Sequence, residues 1–298
     1  MYRVLFTLNL PFIGPFDIYT YAVVLVIGFI IGLTWALKYS KPEDVKPETV
    51  MDLSICILIG GIIGARFIHV LINYQEYSIR DPVKIINFRE GGLAWYGAVL
   101  GAIIGGIIFA RISRILFWKL ADICSAPVML GLAIGRIGCF LNGCCYGKPT
   151  NLPWGVEFPD VYPPGVSRHP TQIYEALLDI GIFYILNLIN KKKKFHGEIF
   201  CYFIGLYSIA RFIVEFYREW FSSIPAIMHL NLAQITSLLL IIVIIVIGKK
   251  LALSNQLTGS VRVNLMRKKE DLKEDEIMIC EEVRKTEKSP EDNKKVES

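Results

Sequence analysis

The sequence carries little charge: only 20% of its 298 residues are Asp, Glu, Lys or Arg, whereas 53% are hydrophobic and the mean hydropathy is +0.46. This composition excludes an ordinary soluble domain, and the formal net charge of +5 gives no reason to expect a nucleic-acid partner. We find no internal repeat, no nucleotide-binding loop and no spacing typical of metal ligands, so neither a cofactor nor a metal is predicted. Residues 1–15 also lack the features of a removable signal peptide.

Long apolar stretches predict an all-α, polytopic (multi-pass) membrane protein with seven transmembrane helices. Crossing the hydrocarbon core takes roughly 20 mostly apolar residues for each helix. The last stretch is purely aliphatic, whereas the fifth and sixth are short and carry charges. The predicted spans are Ile18–Leu37, Leu53–Ile72, Leu93–Phe109, Leu120–Leu141, Ile173–Leu188, Ile199–Phe216 and Leu232–Ile247.

Basic residues gather in alternate loops, and this sets the expected orientation. The loops after the first, third, fifth and seventh spans contain Lys38, Lys41, Lys46, Arg111, Arg114, Lys119, Lys191–Lys194, Lys249 and Lys250. By the positive-inside rule this face is cytoplasmic, so the N-terminus is predicted outside and the C-terminus in the cytoplasm. Arg80, Lys84 and Arg89 in the second-to-third loop weaken the contrast.

The chain changes character at Lys249, where the aliphatic run ends. Charges of both signs then alternate without an apolar face, which is typical of a disordered segment. We therefore predict a membrane-embedded domain over residues 1–248 and a charged, disordered cytoplasmic tail over residues 249–298.

The best indication of function is an arginine inside the fourth predicted span. Arg136 precedes a turn rich in glycine and cysteine that ends at Gly147. An ionisable side chain at membrane depth is costly unless it faces a partner or a wet cavity, so Arg136 is predicted to bind an anionic group. The glycines around it remove bulk and leave backbone N–H groups open to approach.

Three of the seven cysteines cluster in this turn: Cys139, Cys144 and Cys145. Adjacent Cα atoms lie about 3.8 Å apart, so a bond between Cys144 and Cys145 would be strained, whereas pairing either with Cys139 is easier. Small reduced residues that permit close helix packing are the favoured interpretation. Redox chemistry and metal binding remain alternatives.

Other polar groups fall where a bilayer would penalise them, and each has a structural alternative. Tyr96 is next to Trp95, and both are typical of interfacial anchors. Arg211 and Glu215 are four residues apart and can neutralise one another on a helix. The glycines between Gly97 and Gly106 either open a cleft for lipid tails or only let helices touch.

Taken together, these segments resemble one family, the bacterial prolipoprotein diacylglyceryl transferases, from Gly14 to Arg218. The matching segments are Gly14-Pro15 with Tyr21, Gly64-Ala65-Arg66, Glu90-Gly91-Gly92-Leu93, Gly135-Arg136 with Gly138, Asn142-Gly143 and Gly147, Arg168-His169-Pro170 with Gln172, Tyr174 and Glu175, and Ala210-Arg211 through Glu215-Phe216. Their order over about two-thirds of the chain carries the resemblance.

The resemblance implies an enzyme of the bacterial cytoplasmic membrane. Such enzymes move the diacylglyceryl group of phosphatidylglycerol to the lipobox cysteine thiol of a preprolipoprotein and release glycerol phosphate, so the expected partners are these two substrates and membrane lipids. The forked donors of Arg136 and Arg211 suit a phosphate. The predicted catalytic residues are Arg136, Arg211, Tyr96, His169 and Glu175. The predicted substrate-binding residues are Tyr21, Arg66, Asn142, Gly147 and Gln172.

The chain departs from the family signature at three positions. Tyr96 stands where well-known members have a histidine, and Cys139 and Cys144 replace an asparagine and a glutamate. A tyrosine titrates at about pH 10 and is a poor base, although its hydroxyl can still hydrogen-bond the lipid. His169, Glu175 or the positive field of the arginines are the alternatives for producing the acceptor thiolate.

These departures leave two alternative functions open. One is a diverged, phospholipid-dependent transferase with another donor or acceptor. The other is a membrane protein without transferase activity that uses the three cysteines in thiol redox chemistry or binds lipid.

Overall fold

The computed structural model of the chain describes residues 4–10, 14–74, 85, 92, 94–159, 161–219 and 231–256. These ranges contain seven long helices and two short antiparallel hairpins. The helices are α1 (Thr20–Ser40), α2 (Pro47–Ile72), α3 (Trp95–Ile112), α4 (Phe117–Asn142), α5 (Thr171–Asn190), α6 (Glu198–Glu215) and α7 (Leu232–Gln256). The hairpins pair β1 (Val4–Leu10) with β2 (Gly14–Tyr19) and β3 (Val156–Glu157) with β4 (Ser167–Arg168).

Six of these helices are long and apolar enough to cross a membrane: α1 to α5 and α7. The remaining helix, α6, has 18 residues, as many as α3, but includes three charged residues: Glu198, Arg211 and Glu215. The chain is therefore a helical, multi-pass membrane protein, as predicted. The sixth predicted span forms as a helix, but its charged residues keep its composition from marking it as membrane-spanning.

The hairpins and the length of α7 differ from the sequence prediction. An all-α chain was expected, but β1 and β2 form a ladder with register from Val4 opposite Tyr19 to Leu10 opposite Gly14. The last helix continues to Gln256 instead of ending at Ile247. Hydropathy locates the end of an apolar run, but lysine, leucine and alanine after it are all good helix formers. Residues 257–298 of the predicted tail lie outside the described residues.

Several helix ends follow from local sequence. α2 begins at Pro47, because the fixed φ of proline suits the first helical position and its missing N–H costs nothing there. α4 ends at Gly143, which adopts the left-handed conformation with φ of 72°. Glycine accepts that conformation without strain, so it stops the helix and turns the chain sharply.

Helices α2 and α3 pack through glycines on both surfaces. The closest approaches join Gly60 to Gly101, Gly64 to Gly97 and Cys56 to Gly105. A Cβ atom on Gly60 would lie 2.6 Å from the Gly101 carbonyl oxygen, so no larger residue fits without moving a helix. Small residues allow this close approach. The resulting van der Waals contacts stabilise the helix pair in lipid, where the hydrophobic effect does not drive helices together. Of the two roles considered for this stretch, helix contact is the one seen at Gly97, Gly101 and Gly105.

Gly106 is used differently, because it lines an apolar cavity of about 150 Å³ between α2, α3, α4 and α6. The lining residues are Leu53, Ile57, Ala102, Ile103, Gly106, Phe117, Leu120, Ala121, Cys124, Ser125, Val128, Phe200 and Phe203. A cavity of this kind suits hydrocarbon, but it contains none of the predicted site residues.

The helices alternate in direction, and this alternation gathers the functional residues at one end. Gly28 and Gly32 of α1 lie against Gly131 and Pro127 of α4, so these two helices are antiparallel. The starts of α1, α3 and α5 therefore share one end of the bundle with the ends of α2, α4 and α6. We call this the site end. The predicted site residues on these helices all fall within about three turns of it.

A buried ionic network lies at the opposite end of the bundle. Asp122 of α4 is 5% exposed and accepts hydrogen bonds from the backbone N–H groups of Gly197, at 2.6 Å, and Phe200, at 2.9 Å. Lys193 pairs with the same carboxylate at 3.0 Å and also contacts Glu43. One aspartate thereby holds the start of α6 and the loop that precedes it.

Replacing Asp122 with Ala is expected to destabilise the fold, because it leaves two buried N–H groups and the Lys193 ammonium without this acceptor. Breaking a buried ion pair from one side costs on the order of 3 kcal/mol or more. Thermal unfolding of the detergent-solubilised protein measures the effect. Glu43→Gln, which removes only the second partner of Lys193, should lower Tm less; equal Tm values for both variants would contradict this assignment.

Candidate active site

The site end contains a carboxylate shared by arginines from different helices. Glu175, near the start of α5, forms ion pairs through Oε2 with Arg136 Nε of α4 and through Oε1 with Arg211 Nη1 of α6. Arg218, three residues beyond α6, lies 3.7 Å from the same Oε1. The Glu175 side chain is only 8% exposed, so its charge is strongly felt by all three guanidinium groups.

A second layer of groups surrounds this pair. Arg211 Nη2 contacts Glu215 at 2.9 Å, and Glu215 in turn accepts a hydrogen bond of 2.7 Å from the Asn231 side chain. The neutralisation predicted between Arg211 and Glu215 is therefore present, but Arg211 serves Glu175 as well. Asp179, one helical turn after Glu175, is buried and lies within electrostatic range of Arg136 and Arg211.

The first turn of α5 fixes the loop that follows α4. The Gln172 side chain donates a hydrogen bond of 2.6 Å to the carbonyl oxygen of Cys144, and the Thr171 hydroxyl donates one of 2.8 Å to that of Cys145. Both side chains are 1% exposed. Gln172 therefore acts on the loop backbone, which places it as a support for the site.

Gly147 lies where three chain segments meet. Its N–H donates to the carbonyl oxygen of His169 at 2.8 Å, and it forms a β-bridge with Arg218. A Cβ atom at this position would lie 2.5 Å from the Tyr217 carbonyl oxygen and 2.7 Å from the Cβ of His169. Only glycine fits, so Gly147 holds the loop against the chain that carries Arg218.

His169 stands in an aromatic group beside this bridge. Its ring packs edge-on against Tyr217, with centroids 5.3 Å apart, and its Nδ1 lies 3.2 Å from the hydroxyl of Tyr174. Trp154 Nε1 donates to the same hydroxyl at 2.8 Å. Within the described part of the chain, Nε2 of His169 has no hydrogen-bond partner and remains available for proton transfer.

Tyr21 and Asn142 border the thiol cluster after α4. The ring of Tyr21 would lie 3.2 Å from a Cβ on Gly138, and the residue is within electrostatic range of Arg136 and the three clustered cysteines. Asn142 is the last residue of α4 and lies two residues before Cys144. Tyr21 therefore lies near Arg136, and Asn142 lies next to the thiol cluster in the chain.

The three clustered cysteines are free thiols whose Sγ atoms all lie within 4.8 Å of one another. The pKa of Cys145 is lowered, first by hydrogen bonds from Cys139 and Cys144 and also by the guanidinium groups of Arg218 and Arg136, against the opposing effect of burial. The cluster can therefore do more than the predicted packing, because it places the Cys145 thiol near the guanidinium groups of Arg218 and Arg136.

Comparison with known proteins matches the sequence of this chain to a family. The family model described as prolipoprotein diacylglyceryl transferase matches residues 9–248. The chain belongs to the prolipoprotein diacylglyceryl transferase family. This is a family of transferases of lipoprotein biosynthesis, so the prediction from the sequence motifs is confirmed.

Curated relatives agree with the family match, and each is described as a phosphatidylglycerol–prolipoprotein diacylglyceryl transferase. The protein of Clostridioides difficile is 38% identical over 239 residues, which cover 80% of this chain and 91% of the relative. That of Bacillus cytotoxicus is 36% identical, covering 78% and 88% respectively. That of Thermotoga maritima is 38% identical, covering 68% and 71%.

Two predicted site residues of this family member lie apart from the arginine cluster. Arg66 is 5% exposed and donates hydrogen bonds to the carbonyl oxygens of Ile85, at 2.9 Å, and Gly92, at 3.1 Å. It therefore holds the backbone of Ile85 and Gly92 against α2. Tyr96, in the first turn of α3, is 60% exposed and has no polar contact with the other described residues.

Sequence reasoning did not assign a role to three residues of the site: Arg218, Asp179 and Tyr207. The Arg218 guanidinium lies 3.7 Å from the Glu175 carboxylate, and Tyr207 lies within electrostatic range of Arg136. The spacing of four between Glu175 and Asp179 was a usable signal, because it places both carboxylates on one face of α5. Arg218 follows the helix end, where no periodicity indicates which way a side chain points.

Proposed function

We propose that this chain transfers the diacylglyceryl group of phosphatidylglycerol to the lipobox cysteine thiol of a preprolipoprotein, in the bacterial cytoplasmic membrane. The names of the curated relatives support the reaction and both substrates. The apolar helices support a site that a phospholipid enters from the bilayer. The arginine cluster at the site end supports recognition of its phosphate.

The observation that carries this proposal is the set of contacts made by the Arg136 guanidinium. Its Nε is held by Glu175, whereas its two terminal nitrogens make no hydrogen bond to the part of the chain that the structure describes. The side chain is 18% exposed, so these donors are open to a ligand. A guanidinium oriented through one nitrogen and free at the other two presents a fork that fits a phosphate.

The proposed reaction is a displacement at a glycerol carbon. The acceptor sulfur attacks the carbon that bears the phosphate, a C–S bond forms, and the C–O bond to phosphate breaks. The oxygen retains the electron pair, and glycerol phosphate leaves with the negative charge. Arg136 and Arg211 face the place where this charge develops, which is where fixed donors lower an activation barrier most.

The ion pairs distinguish the roles of Glu175 and His169, the two candidates for the catalytic base. Both oxygens of Glu175 are engaged by guanidinium groups, so this residue is proposed to position Arg136 and Arg211 and not to accept a proton. His169 retains an unoccupied Nε2 within a rigid aromatic surround. We assign proton transfer to His169.

The remaining predicted residues are proposed to shape the substrate site. Tyr21 is within electrostatic range of Arg136, Asn142 ends the helix that carries Arg136, and both are proposed to contact the headgroup. Gln172 and Gly147 hold the loop after α4 in position, and Arg66 holds Ile85 and Gly92 against α2. All five support binding without taking part in the bond changes.

Tyr96 is proposed to hydrogen-bond the bound lipid, since its exposed hydroxyl has no protein partner among the described residues. Tyr96→Phe is expected to lower kcat/KM about fivefold, in keeping with loss of one neutral hydrogen bond of about 1 kcal/mol. Steady-state rates at several phosphatidylglycerol concentrations measure it. The neighbouring Trp95→Phe change serves as a control with the same exposure, and unchanged rates for Tyr96→Phe would remove its hydroxyl from the mechanism.

We further propose the topology predicted from the charges: seven spans that include α6, with the N-terminus outside and the C-terminus in the cytoplasm. Residues 1–248 form the membrane-embedded transferase domain and residues 249–298 a charged tail. In this orientation the site end faces outward, where the cysteine of a secreted preprolipoprotein arrives.

The test is mass spectrometry of a lipobox peptide after incubation with the purified protein and phosphatidylglycerol vesicles. We expect the peptide to gain one diacylglyceryl group, and a peptide with serine in place of the lipobox cysteine to gain none. Vesicles of phosphatidylethanolamine test the donor headgroup. No mass gain with folded protein would overturn the proposal, and a gain only from another donor would indicate a diverged transferase.

A further inference from the structure

The thiol cluster after α4 has the construction of a ligand site. Cys139 is buried in the last turn of α4, while Cys144 and Cys145 are half-buried and point to the same place, with all three sulfurs within 4.8 Å. A disulfide would use only two of them, and the six cysteines of the described ranges are free. Three convergent sulfurs suit a single shared ligand.

The backbone around the cluster is built to keep this arrangement. After the left-handed Gly143, the N–H of Cys144 returns to the carbonyl oxygen of Cys139 at 3.1 Å. Cys145 has a φ of 63°, a left-handed conformation that is strained for a residue with a side chain. Hydrogen bonds from Gln172 and Thr171 of α5 hold the carbonyl oxygens of Cys144 and Cys145. The cluster is therefore held by α5 as well as by α4, which carries Cys139.

The chemistry of three thiols favours a soft, thiophilic cation such as Zn²⁺. Zinc–sulfur bonds of about 2.3 Å in tetrahedral geometry place sulfurs about 3.8 Å apart. The three sulfurs already lie within 4.8 Å of one another, so the cluster is close to this spacing. Three thiolates around Zn²⁺ leave one net negative charge, and the nearby guanidinium groups of Arg136 and Arg218 offset it. Such a three-ligand site keeps a fourth position for water or substrate.

We propose that Cys139, Cys144 and Cys145 bind one zinc ion whose fourth position receives the acceptor thiol. Zinc binding is argued from the cluster alone, whereas the role of the fourth position rests on the proposed transferase function. The location supports that role, because the cluster borders Arg136 and Tyr21, where the phosphodiester is proposed to bind. A bound zinc ion would also produce the acceptor thiolate, which Tyr96 is poorly suited to do.

The chemical step is balanced without an oxidant or reductant. The acceptor thiol replaces water on the ion and loses its proton, which passes to His169. The zinc-bound sulfur then attacks the glycerol carbon and leaves the metal as a neutral thioether, a far weaker ligand. Glycerol phosphate departs with the electron pair of the broken C–O bond, and water returns to the open position.

Metal content of the full chain, purified under reducing conditions and dialysed against zinc-buffered solution, tests binding directly. We expect about one zinc per chain in the wild type and in Cys56→Ser, and less than about a tenth of that in Cys144→Ser. Titration of the metal-free wild type with Co²⁺ should produce sulfur-to-cobalt charge-transfer absorption, so the result does not depend on a variant that folds poorly. No bound metal in the wild type, or a disulfide within the cluster, would overturn the proposal.

Transfer to the lipobox peptide then tests the role of the ion. Removing zinc with a chelator should lower the wild-type rate at least tenfold, and added Zn²⁺ should restore it. Zinc-bound protein whose rate is unchanged by chelation would overturn thiol activation. Zinc-bound protein with no transfer under any condition would count against the transferase function and leave the metal site standing.

Discussion

Arg136→Ala is expected to lower kcat/KM for lipobox modification about 100- to 1,000-fold, the loss typical when one preorganised donor to a developing negative charge is removed. The effect should fall mainly on kcat, because the donors matter most as the phosphate oxygen gains charge. Rates of peptide modification over a range of phosphatidylglycerol concentrations separate kcat from KM.

The control variants make this expectation specific. Arg136→Lys keeps the charge but loses the fork and the Nε contact with Glu175, so its rate should lie between those of the wild type and the alanine variant. Arg111→Ala removes an exposed arginine at the opposite end of the bundle and should leave the rate within about twofold. An Arg136→Ala protein that is folded and nearly as active as the wild type would refute phosphate recognition at this site.

Glu175→Gln is expected to reduce both activity and stability. The amide cannot accept hydrogen bonds at both ends, so one of Arg136 and Arg211 loses its partner and the guanidinium groups repel one another. Breaking a buried pair from one side costs on the order of 3 kcal/mol or more. We expect a lower Tm together with a loss of at least about 100-fold in kcat/KM, measured on the same detergent-solubilised preparation.

Glu215→Gln is the matched control, because Glu215 contacts Arg211 and accepts from Asn231, whereas Glu175 pairs with both Arg136 and Arg211. Its losses should be smaller on both measures. The pH profile distinguishes positioning from base catalysis: a positioning role lowers the rate of Glu175→Gln at every pH and preserves the shape of the profile. Loss of the acidic limb in this variant would instead identify Glu175 as the base.

Local sequence was sufficient for features that depend on neighbouring residues. Long apolar runs indicated the membrane helices, and the glycine- and cysteine-rich stretch after Arg136 indicated a turn, because hydropathy and backbone conformation act over a few residues. The ordered motifs also identified the family, and this identification is confirmed by the match over residues 9–248. The hairpin of β1 and β2 was missed, although Thr7 and Asn9 alternate with apolar residues in β1 as in a strand.

Arg136, Glu175 and Arg211 were predicted as site residues in three separate motifs, and the structure brings them into contact. Their catalytic roles remain predictions. Arg218 joins them without a sequence signal. The spacing of the three clustered cysteines matches no established metal-binding motif, because Cys144 and Cys145 converge on Cys139 only through the left-handed conformations of Gly143 and Cys145.

The sequence alone determined the class of this protein, its family and the chemical types that gather around Arg136. Those properties follow from composition and from short motifs whose residues are close in the chain. Only the tertiary structure decided that one carboxylate orients two arginines, that Arg66 holds the backbone of Ile85 and Gly92, and that three thiols share one point. The arginine contacts depend on the packing of α4, α5 and α6, which brings together atoms from residues as far apart as Arg136 and Arg211. The Arg66 contacts depend on α2, which lies beside the start of α3.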